Sequence, residues 1–297
     1  MTRTARVGAG AAPSVRRSAR PRPGRPLSGV AALKAATMPC VAVYAPRDRA
    51  RAFARAAFPR RQARLVVLRT AADLAATFRT ELIDAALVDL SAPSDDVWAA
   101  AALAREFPSA PFFGVTPLRS GDAPALARCA ALDFAGVLIE GIDEVSARTE
   151  VLTRTFRARF ADTLREPPPA LELSSPLQVT TWTCIVVHAG LPVRTDAVAR
   201  AVGVTREHLS RAFAAARAPN LKRVIDLVRL VAAAELAKNP GYDLRDVASV
   251  LGFASPSHLS STTQRVVGLR PASLARLRAV DLIRRFAVGR GRSRGSA

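Results

Sequence analysis

A stretch of 17 residues recurs in altered form about fifty residues further along the chain, and this internal repeat restricts the fold more than any other feature. The first copy reads AVARAVGVTREHLSRAF at 197–213, and the second reads DVASVLGFASPSHLSSTT at 246–263. Ala199 and Gly203 of the first copy recur as Ala248 and Gly252, 49 residues later in both cases. The repeat therefore predicts two copies of one structural unit in the C-terminal half.

Each copy has the cap and turn residues of two short helices separated by a tight turn. Thr195, just before the first copy, and Thr205 within it are good N-cap residues, and Gly203 between them suits a left-handed turn. Asp243, just before the second copy, and Ser255 within it take the same cap positions. A helix, a glycine turn and a second helix form a helix-turn-helix, whose second helix enters the DNA major groove.

The second helix of each unit has one apolar face at helical spacing. The inner residues are Leu209, Ala212, Phe213 and Ala216 in the first unit, and Leu259, Thr262, Thr263 and Val266 in the second. If the Thr263 side chain is buried, its hydroxyl needs a hydrogen-bond partner, or the burial costs about 1–3 kcal/mol.

A single amphipathic helix over 221–238 is predicted to join the two units, after an opening helix over 177–189. The joining helix ends at Asn239-Pro240-Gly241, a sequence that stops helices. At about 1.5 Å per residue it spans roughly 27 Å. It could therefore hold two recognition helices about one DNA turn, roughly 34 Å, apart.

This layout resembles the DNA-binding domain of the AraC/XylS family of bacterial transcription regulators over about residues 177–278. The matching motifs are HLSRAF, NPGYDLRDVASVLGFASPSHLS and the closing VVGLRPASLARLR, with Gly268 and Pro271 at family positions. The resemblance implies double-stranded DNA as the partner, with RNA polymerase as a further one. It also implies a cytoplasmic, nucleoid-associated protein with no cofactor, no metal and no enzymatic activity. An ordinary helical bundle is the alternative, which two matching units at this spacing disfavour.

Carried over position by position, the resemblance predicts that the first unit reads bases. The outward residues of its second helix are Arg206, Glu207, Ser210 and Arg211. Arginine can bind guanine through two hydrogen bonds, and glutamate can accept one from cytosine N4. Arg206, near the helix start, is the strongest candidate among them for a phosphate contact instead.

The second unit departs from the family pattern. Its outward set is Ser257, Ser260, Ser261 and Gln264. Ser261 stands where the family usually has arginine, and Thr263 stands where it usually has phenylalanine. Because these outward side chains are short and uncharged, we expect the second unit mainly to position the protein on the DNA backbone. Lys222 and Arg223 are further phosphate candidates, with solvated surface charges as the alternative.

The N-terminal half alternates short apolar runs with helix-length segments. The runs are VAVYA at 41–45, LVVL at 65–68, AALV at 85–88, FFGV at 112–115 and GVLI at 136–139. Strands alternating with helices predict a doubly wound (βα)₅ domain with a parallel sheet, which we place at 38–164.

This pattern is similar to the receiver domain of two-component response regulators. The segment DAALVDLSAP at 84–93 places Asp89 where receivers carry the phosphoaccepting aspartate, and Thr116 matches a receiver hydroxyl position. The Mg²⁺-binding acidic pair is missing, since the first turn has only Asp48, and Glu140 stands where receivers have lysine. These losses argue against phosphorylation of Asp89 and predict a pseudo-receiver for dimerisation or signal input. The alternative is a phosphorylation-dependent response regulator.

Charge and composition set the remaining boundaries. The chain has a net charge of +20, and residues 1–37 contribute eight Lys or Arg and no acid. We interpret 1–37 as a disordered basic tail, with Met38 as an alternative start, 165–175 as a proline-rich linker, 176–279 as the DNA-binding domain and 280–297 as a basic C-terminal tail. Basic tails also leave open a protein that coats DNA without sequence preference.

Three isolated cysteines, Cys40, Cys129 and Cys184, form neither a zinc motif nor a disulfide framework. They also argue against the enzymatic alternative, a DNA-repair alkyltransferase with reactive cysteines. No apolar run approaches the roughly 20 residues needed to span a bilayer. A homodimer is expected from the type of N-terminal domain alone.

Overall fold

The computed structural model describes residues 38–214 and 218–294, with side chains described up to Val288 in the last helix. The predicted N-terminal tail and Ala216 of the first recognition helix lie outside the described residues. No helix in the described ranges is long and apolar enough to cross a membrane.

The N-terminal half contains the predicted parallel sheet. Its strands are β1 (Cys40–Tyr44), β2 (Arg64–Leu68), β3 (Ala85–Asp89), β4 (Phe112–Thr116) and β5 (Gly136–Ile139). They are ordered β2-β1-β3-β4-β5, and every neighbouring pair is parallel. This is one of the common doubly wound orders, in which the loops at the carboxyl ends of the strands form the crevice.

Helices cover both faces of the sheet. They are α1 (Asp48–Ala57), α2 (Ala71–Thr80), α3 (Asp96–Glu106), α4 (Ala123–Ala131) and α5 (Ser146–Thr153). One apolar cluster packs α2 and α3 against the sheet, and a second packs α1 and α5 against the opposite face. The near-continuous apolar strands of the sequence are therefore buried on both sides, as parallel strands require.

The junction between the two halves is packed, although its prolines predicted an extended spacer. It contains α6 (Phe156–Thr163), a 3₁₀ turn at Pro169–Leu171 and the start of α7 (Pro176–Val187). Phe156 and Phe160 of α6 belong to the C-terminal apolar core, as do Leu171 and Leu173 of the predicted linker. The Trp182 indole also donates to the Leu164 carbonyl at 2.8 Å. Because apolar side chains flank the prolines, this segment is fixed to the C-terminal core.

The C-terminal half is all-helical, as predicted. Its elements are α8 (Thr195–Ala201), α9 (Arg206–Ala214), α10 (Leu221–Leu236), α11 (Leu244–Val250), α12 (Pro256–Val267), a 3₁₀ segment at Pro271–Arg276 and α13 (Ala279–Arg294). The joining helix α10 lies at the centre with its predicted apolar face buried. Its 16 residues span about 24 Å, slightly less than the sequence suggested.

The last helix lies where the sequence predicted only a basic tail. Leu282, Ile283 and Phe286 of α13 are buried in the C-terminal core. These three residues fall on one face of a helix, whereas the arginines between and beyond them dominate the local composition. The helical part of the C-terminal half therefore extends past residue 279.

Candidate nucleic-acid interface

The first helix-turn-helix consists of α8, a glycine turn and α9. Gly203 in the turn has a φ of +78°, a conformation that glycine adopts without steric cost. The Thr205 hydroxyl accepts a hydrogen bond from the His208 amide at 3.1 Å, as the predicted cap of α9. Helix α8 differs slightly from expectation, because it begins at Thr195 after an extended Arg194, so Thr195 is not its cap.

The inner face of α9 anchors it to the core and fixes which side chains face outward. Leu209 and Phe213 are almost completely buried, and Ala212 is half-buried. The four predicted base-reading residues Arg206, Glu207, Ser210 and Arg211 are all exposed. Within the described part of the chain, the two arginines and the glutamate of this set form no ion pair. Their hydrogen-bonding groups are therefore available to an external partner.

The second unit repeats this geometry with α11 and α12. The Asp243 side chain caps α11 by accepting from the Asp246 amide at 2.8 Å, and Ser255 caps α12 by accepting from the His258 amide at 3.0 Å. Gly252 in the turn has a φ of +63°. The predicted caps and left-handed turn of this unit are confirmed.

The inner face of α12 is buried as predicted, and its buried threonine has a hydrogen-bond partner. Leu259, Thr262 and Val266 are buried, and Thr263 is 0% exposed. The Thr263 hydroxyl donates to the Leu259 carbonyl at 2.8 Å within the same helix. A buried hydroxyl with a partner in its own helix avoids the cost of an unpaired polar group.

The outward face of α12 is largely exposed to solvent, and the four residues predicted to face DNA are all uncharged. Ser257, Ser261 and Gln264 are exposed, and Ser260 is half-buried. The Ser261 hydroxyl already donates to the His258 carbonyl at 3.1 Å, so one of its hydrogen-bonding functions is used inside the helix. The two recognition helices thus share a shape but differ in what they can offer to DNA.

The start of α10 carries the two predicted phosphate candidates in different environments. Asn220 caps the helix by accepting from the Lys222 amide at 2.9 Å, and the Lys222 side chain is exposed. Arg223 is half-buried, with its guanidinium 5.1 Å from the centre of the Phe286 ring. Arg223 is therefore held in place by the last helix.

Arg229 holds the second unit on α10, a role that its place in the sequence did not predict. Its Nη2 donates to the Leu251 carbonyl at 2.7 Å, and its guanidinium lies 3.7 Å from the centre of the Phe253 ring. Burial lowers its pKa to about 10, against the opposing effect of Asp226. Leu251 ends α11, so a cation binds one of the free carbonyls at that helix end. The only sequence signal was an arginine inside the apolar run LVRLV at 227–231.

At the carboxyl edge of the N-terminal sheet, Asp89 is enclosed by an ion-pair cluster. Its side chain is fully buried, and Arg47 Nη2 lies 2.5 Å from both Asp89 Oδ1 and Glu140 Oε1. Burial opposes the charge on Arg47, but hydrogen bonds to the two carboxylates outweigh burial and raise its pKa. The sequence pointed to Asp89 and Glu140 separately and not to Arg47, and the structure brings the three side chains together.

Thr116 and the three cysteines are the other residues for which the sequence suggested a chemical role, and Cys184 Sγ lies 3.9 Å from His188 Nδ1. The Thr116 hydroxyl donates to Asp122 Oδ2 at 2.6 Å and lies 3.1 Å from the Ser91 hydroxyl. The three cysteines are free thiols. Among the described residues, no group of three or more His, Cys, Asp or Glu side chains is arranged to hold a metal ion.

Comparison with known proteins points to the same region of the chain. A family model described as a helix-turn-helix domain matches residues 198–276, from within α8 to the 3₁₀ segment after α12. The chain is also similar to the HTH-type transcriptional regulator GlxA of Rhizobium meliloti (strain 1021), with 32% identity over 85 residues. That similarity covers 29% of this chain and 26% of the Rhizobium protein, so the chain spans about a quarter of its relative's length. No solved structure matches the chain.

Proposed function

We propose that this protein is a sequence-specific DNA-binding transcription regulator of the AraC/XylS type, with α9 and α12 each entering a major groove. One observation carries the proposal: two exposed helices are presented by equivalent cap-and-turn units on a single buried helix. The match of residues 198–276 to the helix-turn-helix family and the similarity to a Rhizobium regulator support it.

In this proposal the two units have different tasks. Arg206 and Arg211 on α9 can bind guanine or phosphate, and Glu207 can accept from cytosine. The outward serines and Gln264 of α12 reach less far and carry no charge, so they contribute less to base discrimination. Sequence preference therefore comes mainly from the first unit, and the second unit sets register on the duplex.

Selection from random duplex DNA, read by sequencing, tests this proposal. We expect an enriched motif with one strongly and one weakly specified half-site. Arg211→Ala should cost about 1–3 kcal/mol on that motif and relax the preference at one base, whereas Ser261→Ala should change it little. Binding without any enriched motif, falling steeply with salt, would instead identify a DNA-coating protein.

We further propose that the N-terminal domain is a pseudo-receiver that does not use phosphoryl chemistry. The carboxylate of Asp89 accepts hydrogen bonds from Arg47 on both oxygens, at 2.5 Å and 3.0 Å. Phosphorylation requires an Asp89 oxygen that is free to attack the phosphodonor, and Mg²⁺ requires carboxylates as ligands. Here the Arg47 guanidinium binds the carboxylates of Asp89 and Glu140 instead. The signal would then be a ligand, a protein or a second copy of the chain.

Incubation with a small phosphodonor and Mg²⁺, followed by intact-mass measurement, tests the pseudo-receiver proposal. We expect no phosphoryl adduct on the wild-type chain. An adduct on the wild type that disappears in Asp89→Ala would identify a phosphorylation-dependent response regulator instead.

The proposal includes a homodimer, because an N-terminal domain of this type commonly brings two DNA-binding domains together. Light scattering of the full chain should give twice the chain mass of 31.5 kDa. A monomer at all concentrations, with and without the selected DNA, would contradict this part of the proposal.

A further inference from the structure

The last helix forms one wall of a groove beside the second recognition helix. Helix α13 packs against both α10 and α12 through its buried apolar face. Its outer face carries Arg284 and Arg285, both exposed. The groove has a volume of about 670 Å³ and lies between α13, the second half of α12 and the start of α10.

The side chains around this groove are strongly basic. Four arginines line it, and Asp281 is the one carboxylate among the lining residues of the described chain. The arginines are Arg223, Arg265, Arg284 and Arg285. Such an excess of cations at an open groove attracts a polyanion.

The nearby carboxylates are already engaged by other groups. Asp281 accepts from the Arg278 amide at 3.1 Å, and these contacts with Arg278 lower its pKa. Asp226 pairs with Arg265 at 3.0 Å, so Arg265 is partly neutralised. In the described ranges, Arg223, Arg284 and Arg285 form no ion pair with a carboxylate, although the charge of Arg284 helps to lower the pKa of Asp281. Arg284 is therefore partly compensated, and Arg223 and Arg285 face the groove without a paired carboxylate.

The groove adjoins the surface that would meet the DNA bases. Gln264 belongs to the outward set of α12 and also lines the groove. The Phe286 ring of α13 holds the Arg223 guanidinium at the same groove. A duplex with its bases against the outward face of α12 would thus bring its backbone to these arginines.

We propose that this groove binds the phosphate backbone of DNA and supplies the charge that the second recognition helix lacks. This inference rests on the proposed DNA-binding function. Arg284 and Arg285 of α13 and Arg223 of α10 contact phosphates beside the second half-site. They add affinity there without reading sequence, because phosphates are the same at every base pair.

The test compares Arg284→Ala/Arg285→Ala with wild type on the selected site and on a random duplex, over a range of salt concentrations. The expected result is binding that is about 10- to 100-fold weaker on both duplexes at 0.1 M salt. The slope of log affinity against log salt should be shallower by about 1.8, the value for two phosphate contacts. The preferred sequence should stay unchanged.

The matched control is Arg60→Ala/Arg61→Ala, which removes the same charge from two exposed arginines in the turn before β2. It should leave the affinity close to the wild-type value. The slope of log affinity against log salt should differ from the wild-type slope by less than about 0.9, the value for one phosphate contact. Arg284→Gln/Arg285→Gln repeats the main test with side chains closer in length, and a thermal unfolding curve checks that each variant folds. An affinity and salt slope equal to wild type in both α13 variants would overturn the inference.

Hydroxyl-radical footprinting then locates the contact. The α13 variant should lose backbone protection beside the second half-site and keep it over the first. A uniform loss over both half-sites would overturn the placement of the groove. Failure of the proposed function gives a different result, because the wild-type protein would then select no DNA motif. In that case the salt dependence of binding to a random duplex still tests whether the groove binds phosphate.

Discussion

Arg47 is the residue on which the carboxyl edge of the N-terminal sheet depends. Its guanidinium lies between the side chains of Asp89 and Glu140, which are 0% and 4% exposed. Two carboxylates this far from water are stable side by side only with a cation between them. Arg47 thus keeps the two carboxylates compensated and holds the ends of β1, β3 and β5 together.

Arg47→Ala should lower the free energy of unfolding by about 3 kcal/mol, because it leaves two buried carboxylates without their cation. Urea unfolding at pH 7 measures this. Arg49→Ala is the matched control, since the Arg49 side chain is 79% exposed and its Nε lies 4.0 Å from Glu140 Oε2. It should cost less than about 1 kcal/mol. Adding Glu140→Gln to Arg47→Ala should recover part of the loss, and equal costs for the two arginines would refute the argument.

The three thiols should be unreactive in the native protein. Burial raises the pKa of Cys40 and of Cys129 to about 11, and it also raises the pKa of Cys184. At pH 8 a thiol with a pKa of 11 is ionised in about one molecule in a thousand, and the thiolate is the reactive form. Alkylation by iodoacetamide, followed by intact mass, should therefore be slow at pH 8 and about tenfold faster per pH unit above it.

Cys184 is half-buried and should be modified first, whereas all three cysteines should react quickly in urea. The native state holds these protons more tightly than the unfolded state, so stability should fall as the pH rises from about 9 towards 11. Rapid modification of one native cysteine at pH 7 would revive the alkyltransferase alternative.

At the residue scale, the sequence predicted local hydrogen bonds such as helix caps better than contacts between residues far apart in the chain. The caps Thr205, Asp243 and Ser255 follow from local rules, because a capped amide lies two or three residues away. The partners of Arg47 are 42 and 93 residues distant. Such a contact depends on how the strands are ordered in the sheet, which periodicity does not reveal.

Helix α12 depends on α10 for its position. Arg229 of α10 binds the free carbonyl of Leu251 at the end of α11 and stacks on Phe253 in the turn. Asp226, one turn earlier, pairs with Arg265 on α12. The second unit is thus attached to the joining helix at two points, so its recognition helix moves with α10.

Arg229→Met should loosen the second unit while sparing the first. The substitution keeps much of the side-chain volume but removes the donors to the Leu251 carbonyl, and we expect a loss of about 1–3 kcal/mol. Hydrogen exchange should become faster in α11 and in the turn that precedes α12, with α8 and α9 unchanged. Arg265→Ala removes the other attachment, and because that arginine is half exposed it should cost less than about 1 kcal/mol and loosen the unit less. Faster exchange throughout the C-terminal half would show that Arg229 supports the core generally.

The sequence predicted poorly the elements in which a few buried apolar residues lie among many arginines, glycines or prolines. Leu282, Ile283 and Phe286 give α13 an apolar face, but the surrounding arginines and glycines suggested a tail. In the junction, three prolines suggested a spacer, yet Leu171 and Leu173 anchor it to the core. A few buried apolar side chains are enough to pack both segments against the core, because each contributes about 1.5–3 kcal/mol of stability when it is removed from water.

In the molecule as a whole, the N-terminal domain packs against the second helix-turn-helix unit. Helix α2 contacts α11, and the Gly241 amide before α11 donates to the Glu106 carbonyl at 2.9 Å. Ser109 donates its amide to the Asn239 side chain at 2.8 Å. Sequence periodicity could predict both domains but not this interface, whose residues are more than a hundred positions apart. A structural change in α2 or at the end of α3 would therefore act directly on the second unit.

Gly241→Ala should uncouple the two domains. A Cβ at Gly241 would lie 2.6 Å from Cζ of Phe107, and that ring is held between Phe78, at a centroid distance of 4.4 Å, and Tyr242, at 4.9 Å. Because the ring is packed on both sides, we expect the backbone around Gly241 to shift away from Phe107 and weaken the interface, at a cost of about 1–3 kcal/mol. Gly121→Ala is the control, since nothing lies within 4 Å of its added Cβ.

The chain's two tryptophans report on the two domains separately, Trp98 on α3 and Trp182 on α7. With 5-fluorotryptophan incorporated, the two fluorine resonances should disappear together during urea unfolding of the wild type and of Gly121→Ala. They should disappear at different urea concentrations in Gly241→Ala, because uncoupled domains of different stability unfold in separate transitions. If the Gly241→Ala resonances still disappear together at the wild-type concentration, the interface does not couple the domains, and any coupling between the two halves must run through α6 and the junction instead.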